Sequence, residues 1–192
     1  MQTPRGHLEV IAGPMFAGKT EELIRRVRRA AIARRKVQVF THAVDVRNRV
    51  GTISSHTGLE FPSTPVASAA AIEDVVEAGT ELVGIDEAQF FGPDLVPATS
   101  RLARNGIDVV VAGLVVTFNG EPFEPLPSLM ALAEGVNKLT AVCAVCGADA
   151  IYHRKIAGDR ASPEAMVVEN VGGLEKYEAR CRLHFDLDVH SR

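Results

Sequence analysis

The chain has 192 residues, enough for one medium domain or a domain with a small satellite, and its 46% hydrophobic content allows a substantial core. A formal net charge of −3 disfavours a protein that lives on bulk contacts to a phosphate backbone, which calls for a basic surplus. "MQTPRGHLEV" holds no apolar run of signal-peptide length, no stretch approaches the roughly 20 apolar residues of a membrane span, and three cysteines suit no disulfide framework. The expectation is a cytoplasmic protein with no membrane and no nucleic-acid partner.

In chain order, Leu8–Ala12 is an apolar run ending at Gly13 and reads as a buried strand. From Thr20 to Arg35, apolar Leu23, Ile24, Val27, Ala30 and Ala31 recur at helical spacing, and the basic cluster "RRVRRAAIARRK" reads as a solvated helix face. Val37–Phe40 is a second strand. Residues 45–65 are rich in Gly, Ser, Thr and Pro and read as a loop that can hold a hairpin. Ala69–Ala78 reads as a short helix closed by Gly79, and Glu81–Asp86 as a buried strand. Leu95–Asn105 is a helix closed by Gly106, and Ile107–Leu114, the most β-branched run, a central strand. "PSLMALAEGVNK" is read as a further helix. Strands alternating with helices predict βαβ units and a mostly parallel sheet. That rhythm breaks near residue 140, where a boundary is placed.

Residues 13–20, GPMFAGKT, fit G-x-x-x-x-G-K-[ST] between a strand and a helix. Glycines let backbone N–H groups turn inward around phosphate oxygens, and the helix offers its positive end to the same anion. Lys19 would neutralise β- and γ-phosphate charge, and the Thr20 hydroxyl would help hold Mg²⁺. A nucleotide site needs a second acid. Asp86, at the end of "VGID", fits the strand-end aspartate that holds Mg²⁺ through water, and Glu87 beside it can position or deprotonate an attacking group.

"CAVC" supplies Cys143 and Cys146, and "CRLH" supplies Cys181 and His184. Each pair leaves two residues between ligands, so one chelating turn can present both. Cys₃His is a complete tetrahedral set, which argues for structural Zn²⁺.

"GPMFAGKTEELIRRVRR", "DEAQFF", "FNGEPF", "KLTAVCAVC" and "VGGLEKYEARCR" occur in the order found in thymidine kinases of the zinc-containing cytosolic type, and the chain resembles that family from about residue 7 to residue 185. The resemblance implies a P-loop NTPase-like α/β fold, a mostly parallel sheet flanked by helices over residues 1–140, plus a small zinc-binding β domain with a lasso loop over residues 141–192. It implies a homotetramer, and transfer of the γ-phosphoryl group of ATP to the 5′-hydroxyl of thymidine. Glu87 matches the general base. The cradle of Gly13, Pro14, Met15, Phe16, Ala17, Gly18, Lys19 and Thr20, together with Asp45, Arg47, Asp86 and Gln89, matches the nucleotide and Mg²⁺ positions. Met15, Leu114, Phe118, Phe123, His153 and Val168 match positions around sugar and base. Tyr177 matches the tyrosine of a loop closing over the base, where Gly172 and Gly173 would permit tight backbone turns. Alternatives are a related P-loop kinase with another deoxynucleoside preference and a zinc-ribbon P-loop ATPase.

The match departs in three places. Val115 stands where the family commonly has Asp, and Asn119 where it commonly has Arg, so one fixed positive charge is missing. His153 stands where a small hydroxyl residue is common beside the thymine, which sets a bulkier imidazole near the 5-methyl group.

Overall fold

The computed structural model describes residues 6–44, 51–55, 58–156 and 177–185. Its framework is a six-stranded sheet of order β5-β2-β6-β7-β1-β8, every neighbouring pair parallel. The strands are β1 (Leu8–Gly13), β2 (Val37–His42), β5 (Thr64–Val66), β6 (Leu82–Ile85), β7 (Asp108–Leu114) and β8 (Gly135–Lys138). A hairpin of β3 (Thr52–Ser54) and β4 (Glu60–Pro62) lies between β2 and β5 in the chain. The helices are α1 (Lys19–Ile32), α2 (Ala69–Val75), α3 (Leu95–Arg104) and α4 (Leu126–Leu132).

Both faces of the sheet are covered, which is why its central strands read as unbroken apolar runs rather than alternating ones. Period-two geometry then divides them. Val10, Val83, Ile85, Val109 and Val111 point into one core, with Ile72 of α2, Leu95 and Leu102 of α3 and Leu126 and Leu129 of α4. Ile11, Leu82, Val110 and Ala112 point into the other, with Leu23, Ile24, Val27 and Ala30 of α1 and Ile53 of the hairpin. Leu23, Ile24 and Val27 are fully buried; each such side chain contributes about 1.5–3 kcal/mol of burial. The opposite face of α1 is solvated as expected: Glu22 binds both Arg25 and Arg26. Arg25 first, against the opposing effect of burial, then Arg26, hold the Glu22 carboxyl down at about 2.

Two elements differ from the sequence expectation. The helix expected over residues 127–138 stops at Leu132, and Gly135–Lys138 becomes β8. The free edge of β1 decides this: pairing Glu9–Ala12 with Gly135–Lys138 satisfies backbone groups that a longer helix would leave open. Thr64–Val66, whose first two residues were read as loop, joins β2 as the opposite edge strand. An edge tolerates Pro65, whose missing N–H would interrupt a central ladder.

After β8 the chain forms two small antiparallel pairs. These are β9 (Ala141–Val142) with β10 (Asp149–Ala150), and β11 (Tyr152–Lys155) with β12 (Tyr177–Arg180). Their core, Ala141, Cys143, Ala150, Ala179 and Cys181, packs directly on Phe16 and Ala17.

Candidate active site

The parallel register brings the C-terminal ends of β6, β7 and β1 to one edge of the sheet, with Gly13 opposite Leu114. Ligands of open α/β sheets bind in the crevice outside such ends. Each strand end delivers one part of the site.

From β1 the chain turns through Phe16 and Gly18, both at positive φ (67° and 80°), and enters α1. Gly18 is the N-cap and has no side chain to accept a hydrogen bond, so the first N–H groups of α1 remain available to an anion. Lys19 Nζ donates to the Pro14 carbonyl at 2.7 Å, which arches the ammonium back over its own loop.

From β6 come Asp86 and Glu87. Asp86 is buried; its Oδ2 accepts from Thr20 Oγ1 at 2.9 Å and its Oδ1 from the Glu87 N–H at 3.0 Å. A hydroxyl and a carboxylate so close, beside a lysine and an open helix end, form a donor set that fits Mg²⁺, which takes one or two protein oxygens and keeps waters. Glu87 sits in the left-handed region (φ 50°, ψ 45°). That conformation costs a non-glycine residue about 1–2 kcal/mol and aims its side chain away from the ordinary strand–helix path. A single 3₁₀ turn, Ala88–Phe91, follows. It carries buried Gln89, whose Nε2 donates to Glu87 Oε2 and whose Oε1 accepts from the Leu114 N–H at 3.0 Å.

Beside β7 lies an apolar cluster in which Met15, Leu114 and Tyr177 are buried and Phe16, Phe118 and Phe123 pack against them. His153, fully buried, closes it: Nδ1 accepts from the Met15 N–H over a long 3.5 Å, and the ring stands edge-on to Tyr177 with centroids 5.8 Å apart. With Nδ1 accepting, the proton lies on Nε2, which has no partner among the described residues. Burial, then the Lys19 ammonium, push its pKa down to about 3, so the ring is neutral near pH 7.

The second constellation is equally compact. One ligand atom each from Cys143, Cys146, Cys181 and His184 all lie within 4.8 Å of one another. Cys146 Sγ is 3.8 Å from Cys181 Sγ, and His184 Nδ1 is 3.7 Å from Cys143 Sγ and 3.2 Å from Cys181 Sγ. Zn–S bonds near 2.3 Å at tetrahedral angles place sulfurs about 3.8 Å apart, so the four donors fit Zn²⁺ with no position left open. Burial raises the Cys143 thiol, but the N–H groups of Cys181, Val145 and Cys146 outweigh it and bring it down to about 6, favouring the thiolate a metal needs.

The structure therefore gathers the whole cradle, Asp86, Glu87 and Gln89 at one sheet edge, Met15, Leu114, Phe118, Phe123, His153 and Tyr177 beside it, and the four metal ligands behind the cradle. Asp45, Arg47, Val168, Gly172 and Gly173 lie outside the described residues.

Residues 6–185 match the family model for thymidine kinase. The chain belongs to the thymidine kinase family. It is 50% identical to a thymidine kinase of Deinococcus deserti over 190 residues, covering 93% of this chain and 94% of that one. Thymidine kinases of Bdellovibrio bacteriovorus and Deinococcus radiodurans are 47% and 46% identical, covering 96% and 91% of this chain and 88% and 87% of theirs. Among the described residues, no helix is long and apolar enough to cross a membrane.

Two contacts around the site were not read from the sequence. The bond from Gln89 to the Leu114 N–H needs β6 and β7 to be neighbours. Phe185, next to the last metal ligand, stacks on Tyr152 at 4.4 Å and presses on the turn at Gly120. Only the placement of an aromatic beside a ligand and a glycine in "FNGEPF" could have hinted at the second.

Proposed function

We propose that this chain transfers the γ-phosphoryl group of ATP to the 5′-hydroxyl of thymidine, yielding dTMP and ADP. The observation that carries the reading is the convergence, at one sheet edge, of the Lys19 loop, the Thr20–Asp86 pair and the Glu87 carboxylate beside an apolar cluster able to wall a nucleoside base. The triphosphate lies against the open N-terminus of α1, and Lys19 exchanges the Pro14 carbonyl for phosphate oxygens. Glu87 accepts the 5′-OH proton as the sugar oxygen bonds to the γ-phosphorus and the bond to the β,γ-bridging oxygen breaks, releasing ADP. Thr20 and Asp86 hold Mg²⁺, which when bound neutralises charge on the phosphates. Cys143, Cys146, Cys181 and His184 hold a structural Zn²⁺ that fixes β9 and β12 behind the cradle. Met15, Leu114, Phe118, Phe123, His153 and Tyr177 enclose the nucleoside; on family resemblance, Val168, Gly172 and Gly173 also contact the nucleoside, and Asp45 and Arg47 the nucleotide and Mg²⁺. A nucleotide-binding unit over residues 1–140, a zinc-binding lid over 141–192, a homotetramer and a cytoplasmic location complete the proposal, on family resemblance.

The test is phosphorylation with Mg-ATP across a panel of deoxynucleosides, run beside Glu87→Gln. Thymidine is the expected best substrate, and the variant is expected to lose about 10²-fold or more in kcat, the usual size of acid–base catalysis. ATP hydrolysis without nucleoside phosphorylation, together with tight binding of single-stranded DNA, would replace this reading with a zinc-ribbon ATPase.

A further inference from the structure

Gln89 is 3% exposed and spends both ends of its carboxamide on the site's own frame. Nε2 reaches the Glu87 carboxylate, two residues back and just past the end of β6. Oε1 takes the N–H of Leu114, the last residue of β7. The two contacts fix the amide's orientation, because a flipped carboxamide would set its oxygen against a carboxylate and its NH₂ against an N–H. The space is also tailored. A Cβ on Gly113 would come within 2.9 Å of Gln89 Oε1, 2.8 Å of Leu126 Cδ2 and 3.2 Å of Ala88 Cβ, so β7 makes room for this side chain by carrying a glycine there.

We infer that Gln89 is a positioning residue for the phosphotransfer reaction, a clamp between two strand ends that aims the Glu87 carboxylate at the sugar hydroxyl. The inference rests on the phosphotransfer reading above. The left-handed backbone at Glu87 sets where its side chain leaves the chain, and the Gln89 amide holds the carboxylate at the far end. The clamp ties it to the strand whose final residue, Leu114, walls the apolar cluster. Base and nucleoside wall thus share one rigid connection. A group that merely touches nucleotide would act on ATP binding; a group that aims and hydrogen-bonds the base acts on turnover and on its pH dependence.

The experiment compares zinc-loaded wild type with Gln89→Met, which keeps the length and removes both contacts. The kcat of the variant should fall about 10- to 100-fold, with KM for ATP and for thymidine changed less than about threefold. The acid limb of its kcat profile should move up by about one to two pH units, the worth of one charge-assisted hydrogen bond withdrawn from an ionised carboxylate. In protein labelled with ¹³C-glutamate, the Glu87 carboxyl resonance, assigned by its loss in Glu87→Gln, should titrate at higher pH in Gln89→Met without any substrate present. If Gln89→Met fails to fold by circular dichroism, Gln89→Glu serves, since it keeps the volume and the acceptor for Leu114. Two facing carboxylates cannot ionise together cheaply, so its acid limb should move up as well. An unmoved acid limb and unmoved resonance in a folded variant overturn the inference, as does a raised KM for ATP with an unchanged pH profile. Should wild type phosphorylate no nucleoside at all, the function reading falls while the resonance still decides whether Gln89 governs Glu87.

Discussion

Acidification from pH 7 to pH 5 should cost the wild-type protein about 2 kcal/mol more stability than it costs a His153→Phe variant. The imidazole is fully buried, and the groups facing it are the Met15 N–H, the Lys19 ammonium, the Tyr177 ring and, across the strand pair, Ala179. Burial, then Lys19, hold its folded pKa at about 3, while in the unfolded chain it titrates near 6.5. Between those values the unfolded state binds a proton that the folded state refuses. The stability from keeping the ring neutral is therefore complete above the unfolded value and drains away as pH falls toward the folded one. At pH 5 the unfolded histidine is almost fully protonated and the folded one almost fully neutral, so the difference is set by the unfolded pKa. Carboxylates such as Glu22, and protonation of the metal ligands, add acid sensitivity of their own, but equally to both proteins. Urea titrations followed by far-UV circular dichroism at pH 7, 6 and 5, at fixed protein and zinc concentrations, give the comparison. Equal losses in the two proteins would mean that His153 titrates as if in water, and the buried, neutral imidazole would have to be given up.

Gly120→Ala should destabilise the fold by about 2–4 kcal/mol, from the left-handed backbone and overpacking together, because Gly120 has φ +86° and an added Cβ would meet the Phe185 ring at 2.7 Å; thermal melts and KM for thymidine read the effect, and an unchanged melting temperature would refute it. Cys181→Ser should drop bound zinc below one per chain by colorimetric release and raise KM for both substrates, since the metal core backs the cradle; a metal-free variant with unaltered KM values would sink the structural-zinc reading. Asp86→Asn should raise the Mg²⁺ concentration needed for half-maximal rate by about tenfold, the loss of one charged oxygen from the donor set; an unshifted Mg²⁺ titration places the ion elsewhere.

The parts legible in the sequence were those whose geometry is local. GPMFAGKT announces its loop because the turn and the helix start lie within eight residues, and "VGID" announces its strand end by an acid that closes an apolar run. The paired ligand turns were legible for the same reason, and the two halves meet within 4.8 Å. What escaped depended on partners distant in the chain. Gly135–Lys138 carries helix-compatible residues and becomes a strand only because β1 offers it an edge. Pro65 argued for loop until β2 supplied a ladder that an edge proline can join. Gln89, read as part of a nucleotide signature, acquires its link to Leu114 only when β6 and β7 lie side by side. The fully buried state of His153 needed β11 folded onto the cradle.

Among the described residues, the small cysteine-lined core backs the cradle through Phe16 and Ala17, and Phe185, next to His184, presses on the turn at Gly120. Stripping the ion would slacken both supports together. Chelators should then weaken the hold on both substrates together, rather than trimming affinity for thymidine alone.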